Sequence, residues 1–289
     1  MSNTRAVNAP APLLAYLFAQ WPETKKKQVR EWLKFGAVAV NDRIVTQFDH
    51  PLQPGDRVTL HRRGMAAPET PIAGGIRIRH EDADLIVIDK PAGLLSIASA
   101  GETERTAYAL LTAHVRRGDP RGRERVWIVH RLDRETSGVM IFAKTEAAKT
   151  ELQRGWDAAE KKYFAVVEGA PPGESGTLVA WLDESNPLKV YAAGEGPKTR
   201  RAVTHYRVAK RGRDVTLLEV TLETGRRHQI RVQLAGAGWP IAGDKKYGAQ
   251  TNPIKRVALH ASSLKFIHPA THKPMRFLSP LPGEMGRLV

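Results

Sequence analysis

A ten-residue block, Val129-His130-Arg131-Leu132-Asp133-Arg134-Glu135-Thr136-Ser137-Gly138, runs straight into the apolar stretch Val139-Met140-Ile141-Phe142-Ala143. The small residues mark a turn and the stretch reads as a strand, so the block is a loop fixed to a strand. A rigid scaffold usually carries its reactive groups on loops of this kind. One carboxylate, Asp133, stands in the loop beside a basic side chain. Alone, an Asp shortly before Thr-Ser-Gly is more often a turn residue bonded to its own backbone. The rest of the chain has to decide.

Its 289 residues exceed one typical domain, which favours a large domain with a smaller companion. An apolar content of 42% is enough for a real core, and no low-complexity tract argues for disorder. There is no cysteine. Disulfides and thiolate metal sites are therefore excluded, which fits a reducing compartment. The start, Met1-Ser2-Asn3-Thr4-Arg5, leads into Ala-Pro repeats, so neither a signal peptide nor a membrane span is expected and the location is read as cytoplasmic.

The formal net charge is +15. Residues 196–289 hold 18 Lys+Arg against 5 Asp+Glu, residues 1–75 hold 10 against 6, and the middle, 76–195, has 17 against 19. Such a distribution suits a polyanionic partner. Nucleic acid fits better than a membrane surface, because no basic amphipathic anchor stands out.

Residues 13–60 read as a compact α/β unit. Leu13, Leu14, Leu17 and Phe18 make the stripe of a short helix that Pro22 stops. A second helix is expected over Thr24–Phe35, ending at Gly36, with Val29, Trp32 and Leu33 on one face and Lys27, Arg30 and Lys34 on the other. Alternating Val38 and Val40 suggest a strand, Asn41-Asp42 a turn, and Pro54-Gly55-Asp56 a second turn before Val58-Thr59-Leu60. This pattern resembles the S4 RNA-binding domain, above all in Gly36-Ala37-Val38-Ala39-Val40-Asn41 and Gly55-Asp56-Arg57-Val58. The resemblance implies that Lys27, Arg30 and Lys34 contact RNA phosphates. The Pro- and Gly-containing stretch 62–75 reads as a linker.

From Ile76 onward strands dominate. Asp84-Leu85-Ile86-Val87-Ile88-Asp89 is an apolar strand leaving through Lys90-Pro91-Ala92-Gly93-Leu94-Leu95-Ser96. Thr145–Glu160 has helical spacing and good helix formers, and Lys161-Lys162-Tyr163-Phe164-Ala165-Val166-Val167 returns to strand. Further on come Thr224-Gly225-Arg226-Arg227-His228-Gln229-Ile230-Arg231-Val232-Gln233-Leu234 and Gly238-Trp239-Pro240-Ile241-Ala242-Gly243-Asp244-Lys245-Lys246-Tyr247-Gly248, and then Leu259-His260-Ala261-Ser262-Ser263-Leu264.

With the Asp133 loop, these blocks in this order resemble the pseudouridine synthases of the RluA family over residues 76–280. The resemblance implies an RNA pseudouridine synthase, an isomerase, with Asp133 as the catalytic aspartate, either attacking the sugar or removing its 2′ proton. It implies Arg231 as the arginine paired with Asp133. Tyr163 falls at the family tyrosine that stacks on the target base and has been considered as a proton acceptor. Arg131 is implied to help hold the flipped-out arrangement, and Arg226 and His228 to contact RNA. No cofactor or metal is implied. The partner is RNA, ribosomal RNA of the large subunit before transfer RNA, and a monomer is the default.

Two rivals are weak. His130-x-x-Asp133 lacks the further ligand spacing of a metal hydrolase, and Ser137 lacks a Gly-x-Ser-x-Gly elbow. The rival from another class is a non-catalytic RNA-binding or ribosome-assembly protein. The expected fold is α+β: an S4-like domain over residues 1–61, a linker over 62–75, and over 76–289 a catalytic domain built on a mixed, largely antiparallel sheet.

Overall fold

The computed structural model describes residues 3–34, 37–41, 43–45, 47–60, 71–99, 101–117 and 122–289. Gly36, Asp42 and most of the expected linker lie outside the described residues. The chain divides into two compact units, Met1–Thr70 with Ile78–Ala83, and Pro71–Arg77 with Asp84–Val289.

In the first unit β1 (Asn3–Ala6) and β2 (Ala11–Pro12) precede α1 (Leu13–Gln20) and α2 (Lys26–Lys34). β3 (Val38–Val40), β4 (Arg43–Ile44), β5 (Pro51–Leu52) and β6 (Arg57–Leu60) follow. α1 faces inward through Leu13 and Leu17, one turn apart and fully buried. It stops after the Trp21 N–H reaches the Leu17 carbonyl at 3.0 Å, because Pro22 has no N–H with which to continue. α2 buries Val29 and Leu33 and exposes Lys27 and Arg30; the Lys34 side chain lies outside the described residues. The sheet has the order β1-β6-β3-β4. The two expected turns are bonded to each other: Asn41, at φ 49°, donates Nδ2 to Asp56 Oδ1 at 2.7 Å and accepts the Arg57 N–H at 2.9 Å. Bonds from the Gln53 backbone and from Asn41 hold the exposed Asp56 carboxyl below the usual carboxylate range.

The second unit opens with β7 (Pro71–Ile72), paired with the start of β8 (Ile76–Glu81). Its further elements are β9 (Leu85–Lys90), α3 (Ala107–Arg116), β10 (Trp127–Ile128), β11 (Ser137–Ala143), α4 (Glu146–Arg154), β12 (Glu160–Glu168), β13 (Ser175–Asp183), β14 (Tyr191–Ala193), β15 (Thr199–Arg211), β16 (Val215–Leu222), α5 (Gln229–Gly236), β17 (Leu259–Ile267), β18 (Pro274–Leu278) and α6 (Gly283–Gly286). One sheet runs in the order β14-β13-β15-β16-β12-β17-β11-β9. Along this path β11 and β17 pair in parallel and the other neighbours are antiparallel. The fold is therefore α+β with a mixed, largely antiparallel sheet.

One helix is shorter than its sequence suggests. The helix expected over 145–160 starts on a cap, Thr145, whose hydroxyl accepts the Ala148 N–H at 3.1 Å, but it ends at Arg154. Gly155 follows. Trp156 leaves the helical path to stack on the His130 ring, 4.4 Å between centroids, so a tertiary contact overrides helix propensity.

β11 is buried along its whole length. Val139, Ile141 and Ala143 pack with Ala148 and Leu152 of α4. Its parallel contact with β17 sets Gly138 against Ala261. A Cβ on Gly138, whose φ is +111°, would lie 2.2 Å from the Ala261 carbonyl oxygen. Only glycine lets the strand that carries the Asp133 loop come this close.

Gly138→Ala is accordingly expected to cost more than about 3 kcal/mol, by clash and by strain. Gly93→Ala, at φ +82° but facing open space, should cost only about 1–2 kcal/mol. Urea unfolding of the two variants checks this, and equal losses would contradict the close approach.

Candidate active site

Asp133 leaves the sheet just before β11 and is stapled on both sides. The Ser96 hydroxyl donates to the Leu132 carbonyl at 2.6 Å and accepts the Leu132 N–H at 3.1 Å. On the other side, the Arg134 carbonyl accepts the Gly93 N–H at 2.8 Å and Lys90 Nζ at 3.2 Å. Arg134 Nε returns a bond to the Gly93 carbonyl at 3.1 Å. Lys90 is 1% exposed, and its other protons go to the carbonyls of Pro91 and Leu94 at 2.9 and 2.7 Å. Burial pulls this ammonium down to about 7, against the attraction of Asp133 and Glu135. The turn after β9 thus fixes the residues flanking Asp133.

α5 supplies the counter-charge. Arg231 Nη1 donates to Asp133 Oδ2 at 3.1 Å, and its Nε and Nη2 take both oxygens of Asp244 at 2.6 and 2.9 Å. Asp244 is almost fully buried. Burial works against the Arg231 charge, but the bonds and charges of Asp244 and Asp133 outweigh it and raise the pKa of this guanidinium. Asp244 sits after Gly243, where a Cβ would lie 2.0 Å from the Arg256 carbonyl oxygen. The Tyr247 ring lies under the guanidinium at 5.1 Å.

These groups open onto a cleft whose walls include Arg131, Asp133, Tyr163, Arg226, His228 and Arg231. Tyr163 is half-buried on β12. The register against β17 shifts between Lys162 and Tyr163, and such a bulge re-aims a side chain. Burial and the nearby Asp133 charge push the Tyr163 phenol well above its usual pKa, so it stays protonated. Arg131 and Arg226 are exposed. The Arg226 N–H bonds Gln229 Oε1 at 2.9 Å and its Nε reaches the Arg201 carbonyl at 3.4 Å. His228 Nε2 stands 3.8 Å from Asp133 Oδ1.

A family model described as RNA pseudouridylate synthase matches residues 84–236, more than half of the chain. The chain belongs to this family. A Bacillus subtilis member, named an uncharacterized RNA pseudouridine synthase, YlyB, is 36% identical over 93% of this chain and 89% of its own length. The ribosomal large subunit pseudouridine synthase D of Xanthomonas campestris is 37% identical over 96% of this chain and 86% of its own length. Among solved structures, human RNA pseudouridylate synthase domain containing 4 superposes with a TM-score of 0.60 at 25% identity, covering 73% of this chain and 92% of that one.

In this family member the sequence-derived candidates Asp133, Tyr163, Arg231, Arg131, Arg226 and His228 converge on one cleft, whereas Lys27 and Arg30 stand on α2 of the first unit. Asp244, Lys90 and Ser96 were not singled out from sequence. The signal for Lys90 was there, a lysine closing an apolar strand. The two rival readings lose their residues: the His130 ring accepts the Ile141 N–H on Nε2 at 3.1 Å, and Ser137 is buried, bonded to His260 Nδ1 at 2.9 Å.

Asp244→Asn should lower stability by about 3–5 kcal/mol, because the buried guanidinium loses its paired charge. A urea midpoint like that of the wild type would contradict the triad. Burial lowers the pKa of His130 to about 3 and of His260 to about 4, below the 6.5 of a free histidine. The unfolded chain thus takes up more protons below pH 6.5, and stability should fall as the pH drops from there towards 4. Urea midpoints across that range read the slope, which His130→Gln should reduce; a flat profile would contradict neutral buried imidazoles.

Proposed function

We propose that the protein isomerises specific uridines of large-subunit ribosomal RNA to pseudouridine, with Asp133 as the reacting carboxylate. The observation that carries this reading is the Asp244–Arg231–Asp133 chain. It keeps Oδ2 of Asp133 tethered, while Oδ1 faces His228 Nε2 at 3.8 Å in the wall of the cleft. A lone carboxylate in a half-dry pocket would tend to take up a proton, and the guanidinium opposes that with a planar fork that Lys cannot reproduce.

The chemistry suits a single carboxylate. The uridine N1–C1′ bond breaks, the base turns, and C5 joins C1′. Glycosidases handle a similar sugar carbon with two carboxylates, because a leaving group departs and water arrives. Here the departing base is also the returning nucleophile, and nothing is oxidised or hydrolysed. A uridine in structured RNA has to be flipped out of its stack, at a cost of a few kcal/mol. Tyr163, held as a neutral phenol, offsets part of that by stacking, about 1–3 kcal/mol. Arg131, exposed beside Asp133, steadies the RNA left behind, and Arg226 takes a phosphate.

The substrate assignment rests on relatives named ribosomal large subunit pseudouridine synthase D, at 33–37% identity over most of the chain. Residues 1–61, within the first unit, act as an S4-like RNA-binding domain, ahead of a linker over 62–75 and the catalytic domain over 76–289. The exposed Lys27 and Arg30 of α2 support that role. No described helix is long and apolar enough to cross a membrane.

Purified protein on ribosomal and transfer RNA transcripts tests the reading. Asp133→Ala should lose on the order of 10³ in rate or more while keeping the fold. Arg231→Lys should also fold and lose much of the activity. Near-normal turnover in either would overturn the assignment, and a clear preference for transfer RNA would move the substrate. RNA affinity should fall steeply with added salt; binding indifferent to salt would contradict the phosphate contacts.

A further inference from the structure

We propose that His228 is a catalytic residue, a neutral imidazole whose Nε2–H bonds the uracil oxygen that gains charge as the N1–C1′ bond breaks. The proposal rests on the reading of Asp133 as the reacting carboxylate. His228 precedes α5 in a left-handed backbone conformation, φ 54° and ψ 16°, and its side chain reaches the cleft wall.

Two contacts favour one tautomer. Nδ1 lies 2.7 Å from the Tyr247 hydroxyl, and that hydroxyl already accepts the Val190 N–H at 3.1 Å. With the oxygen already serving as an acceptor, the hydroxyl has its own proton to give to Nδ1, an arrangement that puts the ring proton on Nε2. Nε2 in turn faces Asp133 Oδ1 at 3.8 Å, where an N–H is attracted and a lone pair is repelled.

The surrounding groups keep the ring uncharged. Burial pushes the His228 pKa down; Asp133 opposes this, while Arg231, Lys246 and Arg227 add to it. The N-terminus of α5 also disfavours a cation there. Enzymes elsewhere use a helix N-terminus to keep a histidine neutral while it polarises a carbonyl.

A neutral donor is what this reaction requires. In either role of Asp133, the N1–C1′ electron pair ends on the uracil ring and spreads over N1 and the ring oxygens. The Nε2–H bond strengthens as an oxygen becomes negative, yet the imidazole keeps its proton. An imidazolium would tend to protonate the ring and quench the nucleophile that must return through C5.

The test compares single-turnover rates and KM on RNA carrying uridine or 5-fluorouridine at the target position. Loss of the N-glycoside is read by digestion and chromatography. Fluorine stabilises the ring anion, so the departing base needs less help. His228→Ala is expected to lose about 10²-fold in rate on uridine RNA, in the range for removing one such donor, with KM little changed. The loss should be several-fold smaller on 5-fluorouridine RNA. Tyr247→Phe, which frees the tautomer, should move the same way by less. His228→Gln, whose amide can still donate, should recover part of the rate and serves if the alanine variant unfolds. A raised KM with an unchanged rate would overturn the proposal in favour of a plain RNA contact. Equal losses on both RNAs would overturn it in favour of a structural role. A wild-type protein inactive on both RNAs would instead overturn the Asp133 reading, and the role of His228 with it.

Discussion

The site depends on one guanidinium held between two carboxylates. Arg231 gives two of its donors to the buried Asp244 and one to Asp133. Burying a charge is costly unless it is paired and bonded, and here the deeper carboxylate does the pairing. Asp244 thereby fixes the aim of Arg231, so the bond to Asp133 is made by a side chain that has little freedom left. The same economy explains the loop. Leu132 and Arg134 are tied to the turn after β9, so the backbone on both sides of Asp133 is fixed independently of its bond to Arg231.

The sheet makes these approaches possible. β11 and β17 run in parallel at the point where Gly138 meets Ala261, and glycine is the residue that fits there. β12, on the other side of β17, carries Tyr163 past a shift in register. Charge from α5, the loop before β11 and the aromatic of β12 therefore meet along a short stretch of the sheet. A chemistry with one carboxylate, no redox step and a base that leaves and returns asks for little more than such a fixed anion, a stacking surface and donors for the ring.

Much of this was legible from residues. The apolar run 139–143, the Asp133 loop, Tyr163 and Arg231 could be picked out because motif order and turn chemistry are local. The rest depends on contacts that no local period records. Ile230, Val232 and Leu234 alternate as a strand would, yet they lie on α5, which is buried on all sides and so shows no amphipathic stripe. α4 is shorter than its helix formers suggest because Trp156 is taken by His130. β1 has no apolar alternation and exists through pairing with β6. Asp244 and Ser96 were invisible as site residues because their partners, Arg231 and Leu132, are distant in sequence and are met only in the fold.

The most direct measurement is a transcriptome-wide map of pseudouridine in cells lacking the protein, complemented by wild type or by Asp133→Ala. Discrete sites in large-subunit ribosomal RNA are expected to disappear and to return only with the wild-type gene. A map unchanged by the deletion, or restored equally by the Asp133→Ala form, would contradict the claim that this carboxylate modifies ribosomal RNA.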